Sequence, residues 1–147
     1  MQIIDKVEGI NVDIVLRQQY EANLEKGYFP KLVYDIVLHG TNIVIGECDA
    51  RLGYNENIFY GGNLGYSILE QYRGNGYAGQ AVKLLKTIFK QNGLEKIYIT
   101  NDQNNNSSKR VCEKLGASHL GLYELPEDND LRKEDGQTFV NIYEITL

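Results

Sequence analysis

Three features of the sequence predict an α+β fold, a mixed and mostly antiparallel central sheet of about six to seven strands flanked by helices. At least three extended runs follow one another before any helix is legible, which favours strands joined by short turns. One strongly amphipathic segment, Tyr77 to Asn92, then carries apolar residues at helical spacing. Beyond it the chain returns to short extended runs, interrupted by one further helical pattern.

Residues 1–31 are the least regular. Val12 to Leu16 fits a strand or the beginning of a helix through Leu24, and a strand followed by a short helical or irregular piece is expected. From Lys31, LVYDIVL is β-branched and aromatic, HGTN is a turn, and IVIGECDARL is extended again, so the pair reads as a hairpin. After the glycine-rich stretch YNENIFYGGN, LGYSIL is the next strand. In the long helix Ala78, Ala81, Val82, Leu85 and Phe89 recur at i, i+3, i+4, i+7 and i+11, and Gly93 stands where a C-terminal cap belongs. LEKIYIT follows as a strand. Ser107 to Leu115 reads as a short helix with Val111 and Leu115 inward and Gly116 ending it. Strands are expected near Ser118–Tyr123 and Thr138–Ile145, and the charged PEDNDLRKEDGQ between them reads as a solvated hairpin loop.

The chain has 147 residues, 42% hydrophobic and 24% charged, which supplies one buried core and excludes wholesale disorder; residues 1–147 are expected to form a single domain. Fifteen basic against 20 acidic residues give a net charge of -5, which argues against nucleic acid as a partner. Cys48 and Cys112 make no disulfide framework and no zinc spacing, and His39 and His119 lack partners at ligand spacing, so no metal is expected and both histidines read as surface or packing residues. The start, MQIIDKVEGI, has no basic region followed by an apolar run, and no window reaches the ~18 apolar residues that span a bilayer. No membrane association and a cytoplasmic location are the expectation.

The stretch Gln71-Tyr72-Arg73-Gly74-Asn75-Gly76-Tyr77-Ala78-Gly79 lies between a strand and the N-terminus of the long helix. Glycines allow close backbone approach, and the unpaired N–H groups of a helix's first turn favour an anion such as a pyrophosphate. Three readings compete. The simplest is a glycine-rich connection that serves only strand-to-helix packing. The second takes Gly74, Gly76 and Gly79 as the dinucleotide pattern GxGxxG, with Asp102 as the ribose acid; it fails because antiparallel strands precede the loop where repeated βαβ units are required. A P-loop is excluded, since no Gly-Lys-Ser/Thr follows.

The third reading is a resemblance. Gln71-x-x-Gly74-x-Gly76 resembles motif A of the GNAT N-acetyltransferase superfamily, Arg/Gln-x-x-Gly-x-Gly/Ala. Asn105-x-x-Ser108-x-x-x-Cys112-x-Lys114-Leu115-Gly116 is similar to its second conserved helix, usually Asn-x-x-Ser-x-x-x-Tyr-x-Lys-Leu-Gly. The two motifs stand in the superfamily's order and separation. The resemblance covers roughly residues 32–147, and YGGNLGYSILEQYRGNGYAG is similar to a small bacterial branch.

The resemblance implies a GNAT-like fold and acetyl-CoA as co-substrate, with its pyrophosphate on Arg73, Gly74, Asn75, Gly76, Tyr77, Ala78 and Gly79 and its pantetheine arm paired to the strand end Ile68–Leu69. It implies direct attack of an amine, from a small molecule or a peptide or protein, on the thioester. The tetrahedral oxygen would be held by a backbone N–H near Ile68 or Leu69. On the second helix Asn105 would contact CoA, and Asn105, Ser108 and Cys112 would share a face. Cys112 replaces the usual tyrosine acid; its reference pKa of about 8.5, below the ~10 of tyrosine, makes a thiol donor chemically possible. Tyr66, Tyr98 or water are the alternative donors. Glu47 is the first candidate base, ahead of Glu70 and Asp102, and Asn63 and Leu64 stand where relatives often carry a glutamate. Tyr54, Tyr60 and Tyr66 flank the glycine-rich bend and read as packing residues rather than an aromatic pocket. The alternative from another class is a CoA-binding sensor or interaction module without catalysis, and an exposed sheet edge is compatible with a homodimer.

Overall fold

The computed structural model describes residues 1–147. Where the first half of the chain is β-branched and aromatic, it builds one antiparallel sheet. Its strands are β1 (Lys6–Glu8), β2 (Val12–Tyr20), β3 (Lys31–Leu38), β4 (Val44–Arg51) and β5 (Leu64–Ile68), in sequence order. The expected strand at Val12 is therefore real and runs on through Tyr20, with a 3₁₀ turn at Leu24–Lys26 after it. A second antiparallel sheet, in order β6–β8–β7, is made by β6 (Lys96–Asp102), β7 (Ser118–Glu124) and β8 (Phe139–Thr146).

Four helices, α1 (Glu56–Gly61), α2 (Tyr77–Gln91), α3 (Asn106–Lys114) and α4 (Asp130–Asp135), complete the α+β fold. The periodic stripe of α2 is fully buried at Ala81, Val82, Leu85, Ile88 and Phe89 and packs on Ile14, Tyr34, Ile45, Ile97 and their neighbours in one cluster. Each large side chain in it contributes roughly 1.5–3 kcal/mol by leaving water.

Two short helices stand where loops were expected. In the glycine-rich stretch the Asn55 side chain accepts from the Ile58 N–H at 2.9 Å and so starts α1. In the charged connection Asn129 accepts from the Leu131 N–H at 3.0 Å and starts α4, whose Leu131 packs on Leu125, Val140 and Ile142. Both signals are single asparagines in polar surroundings. On α3 the buried residues are Ser108 and Cys112, not Val111, because Asn105 accepts from the Ser108 N–H at 3.1 Å and that cap sets which face meets β6.

The two sheets share one core and are joined by backbone hydrogen bonding at Asn63. Asn63 is fully buried; its N–H donates to the Tyr98 carbonyl and its Oδ1 accepts from the Tyr98 N–H, both at 2.8 Å. Its Nδ2 donates to the carbonyls of Arg51 (3.0 Å) and Gly53 (2.9 Å). Past this stitch β5 and β6 diverge. Asn63→Ala leaves three buried backbone groups without partners, and a loss of about 3 kcal/mol is expected at 1–3 kcal/mol each with partial rehydration, measurable by urea unfolding.

Asp13 is fully buried beside His39, whose Nδ1 lies 2.8 Å from Oδ1, and it accepts from the N–H groups of Gly9 (3.0 Å) and Gly40 (3.3 Å). Burial alone would raise its pKa, but the bonds from His39, Gly9 and Gly40 together hold it below the ordinary carboxylate value. A lowered folded-state pKa stabilises above the unfolded value and is lost as pH falls. Wild type and Asp13→Asn should therefore differ at neutral pH and converge in acid unfolding below about pH 4. No helix is long and apolar enough to cross a membrane.

Candidate active site

The loop that enters α2 has the backbone of an anion cradle. Gly74 and Gly76 take φ of 85° and 76°, a conformation costly for L side chains, and this turns successive N–H groups the same way. From Gly74 to Gly79 the N–H groups have no acceptor in the chain, and the first bond of the helix is from the Gln80 N–H to the Gly76 carbonyl. Side chains added at Gly74, Gly76 or Gly79 would point into open space, so none is needed for internal packing, and only Gly74 and Gly76 are needed for backbone conformation. Unpaired amides on the positive end of a 15-residue helix suit a pyrophosphate. Asn75 braces the loop, its Nδ2 donating to the Tyr72 carbonyl at 3.0 Å.

Arg73 turns back to the strand, its Nε donating to the Ile68 carbonyl at 2.8 Å. The Leu69 N–H donates to the Ile45 carbonyl at 2.8 Å and is spent inside the sheet. By the alternation of an antiparallel ladder, the N–H groups of Tyr66 and Ile68 face away from β4, toward the gap before β6. Of the two expected oxyanion donors only Ile68 is thus available.

Two cavities meet at Tyr66. One of about 280 Å³ fills the gap between β5 and β6 and is lined by Leu64, Tyr66, Ile99, Asn101, Asn105 and Ser108. The other, of about 430 Å³, lies on the opposite face of the sheet among Arg17, Tyr20, Lys31, Glu47, Asp49 and Ser67. Arg51, Gly65 and Tyr66 line both.

The Tyr66 hydroxyl lies 3.0 Å from Ser108 Oγ, which accepts from Asn101 Nδ2 at 3.3 Å. Burial raises the Tyr66 pKa, and the Ser108 hydrogen bond opposes the rise. Cys112 is fully buried behind them, lines neither cavity, and burial pushes its thiol up to about 12. The low thiol pKa that makes it attractive as a donor is thus removed by its own surroundings. Tyr98 is engaged edge-to-face with Tyr54 and Phe59, and Tyr60 with Phe59, so no aromatic pocket forms from Tyr54 and Tyr60.

Glu47 opens onto the larger cavity with Oε2 held by Arg17 at 2.6 Å. Asp102 lines the smaller cavity and accepts from the Asn104 N–H, whereas Glu70 reaches neither cavity. Sequence reasoning missed Asp49 and Arg51. Asp49 Oδ1 accepts from the Gly65 N–H at 2.6 Å, and Arg51 Nη1 donates to the Gly61 and Gly62 carbonyls at 3.0 Å each. Their alternation with Glu47 on β4 is the signal that places all three on one face.

The family description "Acetyltransferase (GNAT) domain" matches residues 11–118. The chain belongs to the GNAT acetyltransferases. The match begins at residue 11 and so also takes in β2, outside the region that the two motifs covered. No curated protein matches the chain. Among solved structures, a GNAT-family acetyltransferase from Bacillus anthracis is 26% identical, with a TM-score of 0.61 over 78% of this chain and 65% of that one. The ribosomal L7/L12 alpha-N-protein acetyltransferase RimL in complex with coenzyme A is 15% identical, with a TM-score of 0.66 over 95% of this chain and 96% of that one. The microcin C7 self-immunity acetyltransferase MccE, in complex with acetyl-CoA and AMP, is 18% identical, with a TM-score of 0.61 over 80% and 61%. This GNAT chain spans less than two thirds of the Bacillus anthracis and MccE chains. The likenesses to RimL and MccE concern the fold.

Proposed function

We propose that residues 1–147 act as one domain that transfers an acetyl group from acetyl-CoA to an amine, by direct attack on the thioester. The observation that carries this reading is the row of unpaired N–H groups from Gly74 to Gly79 in the connection between β5 and α2, in a chain of GNAT membership. The complexes of RimL with coenzyme A and of MccE with acetyl-CoA support acetyl-CoA as the donor. The pyrophosphate would lie on the amides from Gly74 through Gly79, since the Arg73 N–H is spent on the Glu70 carbonyl at 3.2 Å, with Asn105 bordering the β5–β6 cavity. The pantetheine arm would follow the open edge of β5, where its amides pair like an added strand.

The amine arrives from the larger cavity, where Glu47 and Asp49 stand among Arg17, Lys31 and Arg51. Glu47 keeps Oε1 free to take the ammonium proton, directly or through water. The neutral amine attacks the carbonyl carbon, and the Ile68 N–H faces the oxygen that becomes negative. The nitrogen, now cationic, gives its surplus proton to water, and as the C–S bond breaks its electron pair stays on sulfur and Tyr66 gives its hydroxyl proton, forming the thiol. Tyr66 is the proposed acid because it stands between the cavities with a hydrogen-bond partner, where Cys112 is sealed off. Incubation with acetyl-CoA and a panel of small amines and peptides, read by release of free thiol, should give turnover with at least one acceptor. Binding of acetyl-CoA without turnover for any acceptor would leave the sensor module in its place.

A further inference from the structure

The protein has two buried side-chain polar atoms without a partner, Asn101 Oδ1 and Asn141 Nδ2. One is an acceptor and the other a donor, and their residues stand directly opposite each other in the β6–β8 ladder, on the same face. Both residues are 6% exposed, so neither atom can be satisfied by bulk water. No hydrogen bond joins the two atoms directly, and a single water between them would accept from Asn141 Nδ2 and donate to Asn101 Oδ1.

The ends of this pair are fixed. Asn101 Nδ2 donates to Ser108 Oγ, and Ser108 is bonded to Tyr66. Asn141 Oδ1 lies 3.0 Å from Nε2 of His119 on edge strand β7; an amide oxygen only accepts, so His119 carries its proton on Nε2. With one water bridging the two asparagines, each amide would accept on one side and donate on the other, and every arrow would point one way: His119 to Asn141, Asn141 through the water to Asn101, Asn101 to Ser108, Ser108 to the Tyr66 oxygen.

We propose that Tyr66, Ser108, Asn101, Asn141 and His119, with one water between the two asparagines, form one unidirectional hydrogen-bonded chain that aims the Tyr66 proton at the departing sulfur and stabilises the tyrosinate left behind. This rests on Tyr66 as the acid. When the C–S bond breaks and the S–H bond forms, negative charge appears on the Tyr66 oxygen. The Ser108 hydroxyl, already polarised by Asn101, donates to it, and solvent later restores the proton. Asn101, Asn141 and His119 touch no substrate; they are positioning residues. The sequence offered His119 only as an isolated histidine, because nothing in the primary structure joins residues 66, 101, 119 and 141.

The test uses His119→Leu, His119→Gln and Asn141→Leu in the full chain. His119 sits on an exposed edge, so its variants keep the fold. His119→Leu and Asn141→Leu should lower kcat about tenfold with KM for acetyl-CoA unchanged, the low end of the scale for supporting partners in a hydrogen-bonded network. His119→Gln, whose amide still donates, should restore kcat. Tyrosine ring carbon NMR, with the Tyr66 signal assigned from Tyr66→Phe, should show Tyr66 titrating at higher pH in both Leu variants and as in wild type in His119→Gln. Unchanged kcat and Tyr66 titration in the Leu variants, while Tyr66→Phe loses turnover, overturns the chain alone. Full turnover in Tyr66→Phe overturns the acid assignment, and the chain's role with it.

Discussion

Tyr66→Phe will lower kcat about 10²- to 10³-fold, the range for loss of a positioned general acid, and leave KM for acetyl-CoA close to wild type. The substitution removes one oxygen and keeps the ring, which is half-buried against the core cluster, so stability changes little. The lost oxygen is the one bonded to Ser108, and after the change the departing thiolate has water as its proton source. Cys112→Ala provides the contrast. Its side chain is fully enclosed, and deletion should cost stability through a small cavity and leave kcat within about threefold, since positions that only pack act on the folding equilibrium. Steady-state kinetics with thermal melts decides between them: a larger kcat loss in Cys112→Ala than in Tyr66→Phe would move the acid back to the thiol.

Gly74→Asp combined with Gly76→Asp will weaken acetyl-CoA binding at least about 100-fold, close to 2.8 kcal/mol. Two effects add. Each glycine sits at positive φ, where a side chain costs about 1–2 kcal/mol, so the loop shifts and its amides lose their common direction. Each aspartate also sets a negative charge against the diphosphate the amides are meant to hold. Added side chains meet no atom of the protein, so the fold persists and far-UV circular dichroism should be unchanged. Calorimetric titration with acetyl-CoA reads the loss, and Gly74→Ala with Gly76→Ala separates backbone strain from charge. An unchanged affinity in the folded double aspartate variant would remove the loop from the coenzyme site.

Most strands and the long helix were legible because burial there follows local periodicity. Leu32, Tyr34 and Ile36 alternate into the core, and Ala81, Val82, Leu85 and Phe89 recur at helical spacing. The short helices α1 and α4 were not legible. Each depends on one asparagine cap and one side chain that finds an apolar neighbour from another element, Phe59 in the first and Leu131 in the second. Of the two α3 residues expected inward, Leu115 packs on the core and Val111 does not, for the same reason. Val111 is the more apolar residue, but the cap at Asn105 and close approach to β6 turn Ser108 and Cys112 inside.

By itself the sequence determined the α+β class, the glycine loop and its place before α2, and the GNAT resemblance, because backbone conformation and amphipathic period are local properties written in consecutive residues. Tertiary structure alone decided which groups can react. It sealed Cys112, spent the Leu69 N–H on Ile45, stitched the sheets at Asn63 and brought Tyr66 to Ser108 across 42 positions of chain. Acidity, hydrogen-bond availability and access depend on neighbours in space, and those neighbours are set only when the two sheets close on α2 and α3.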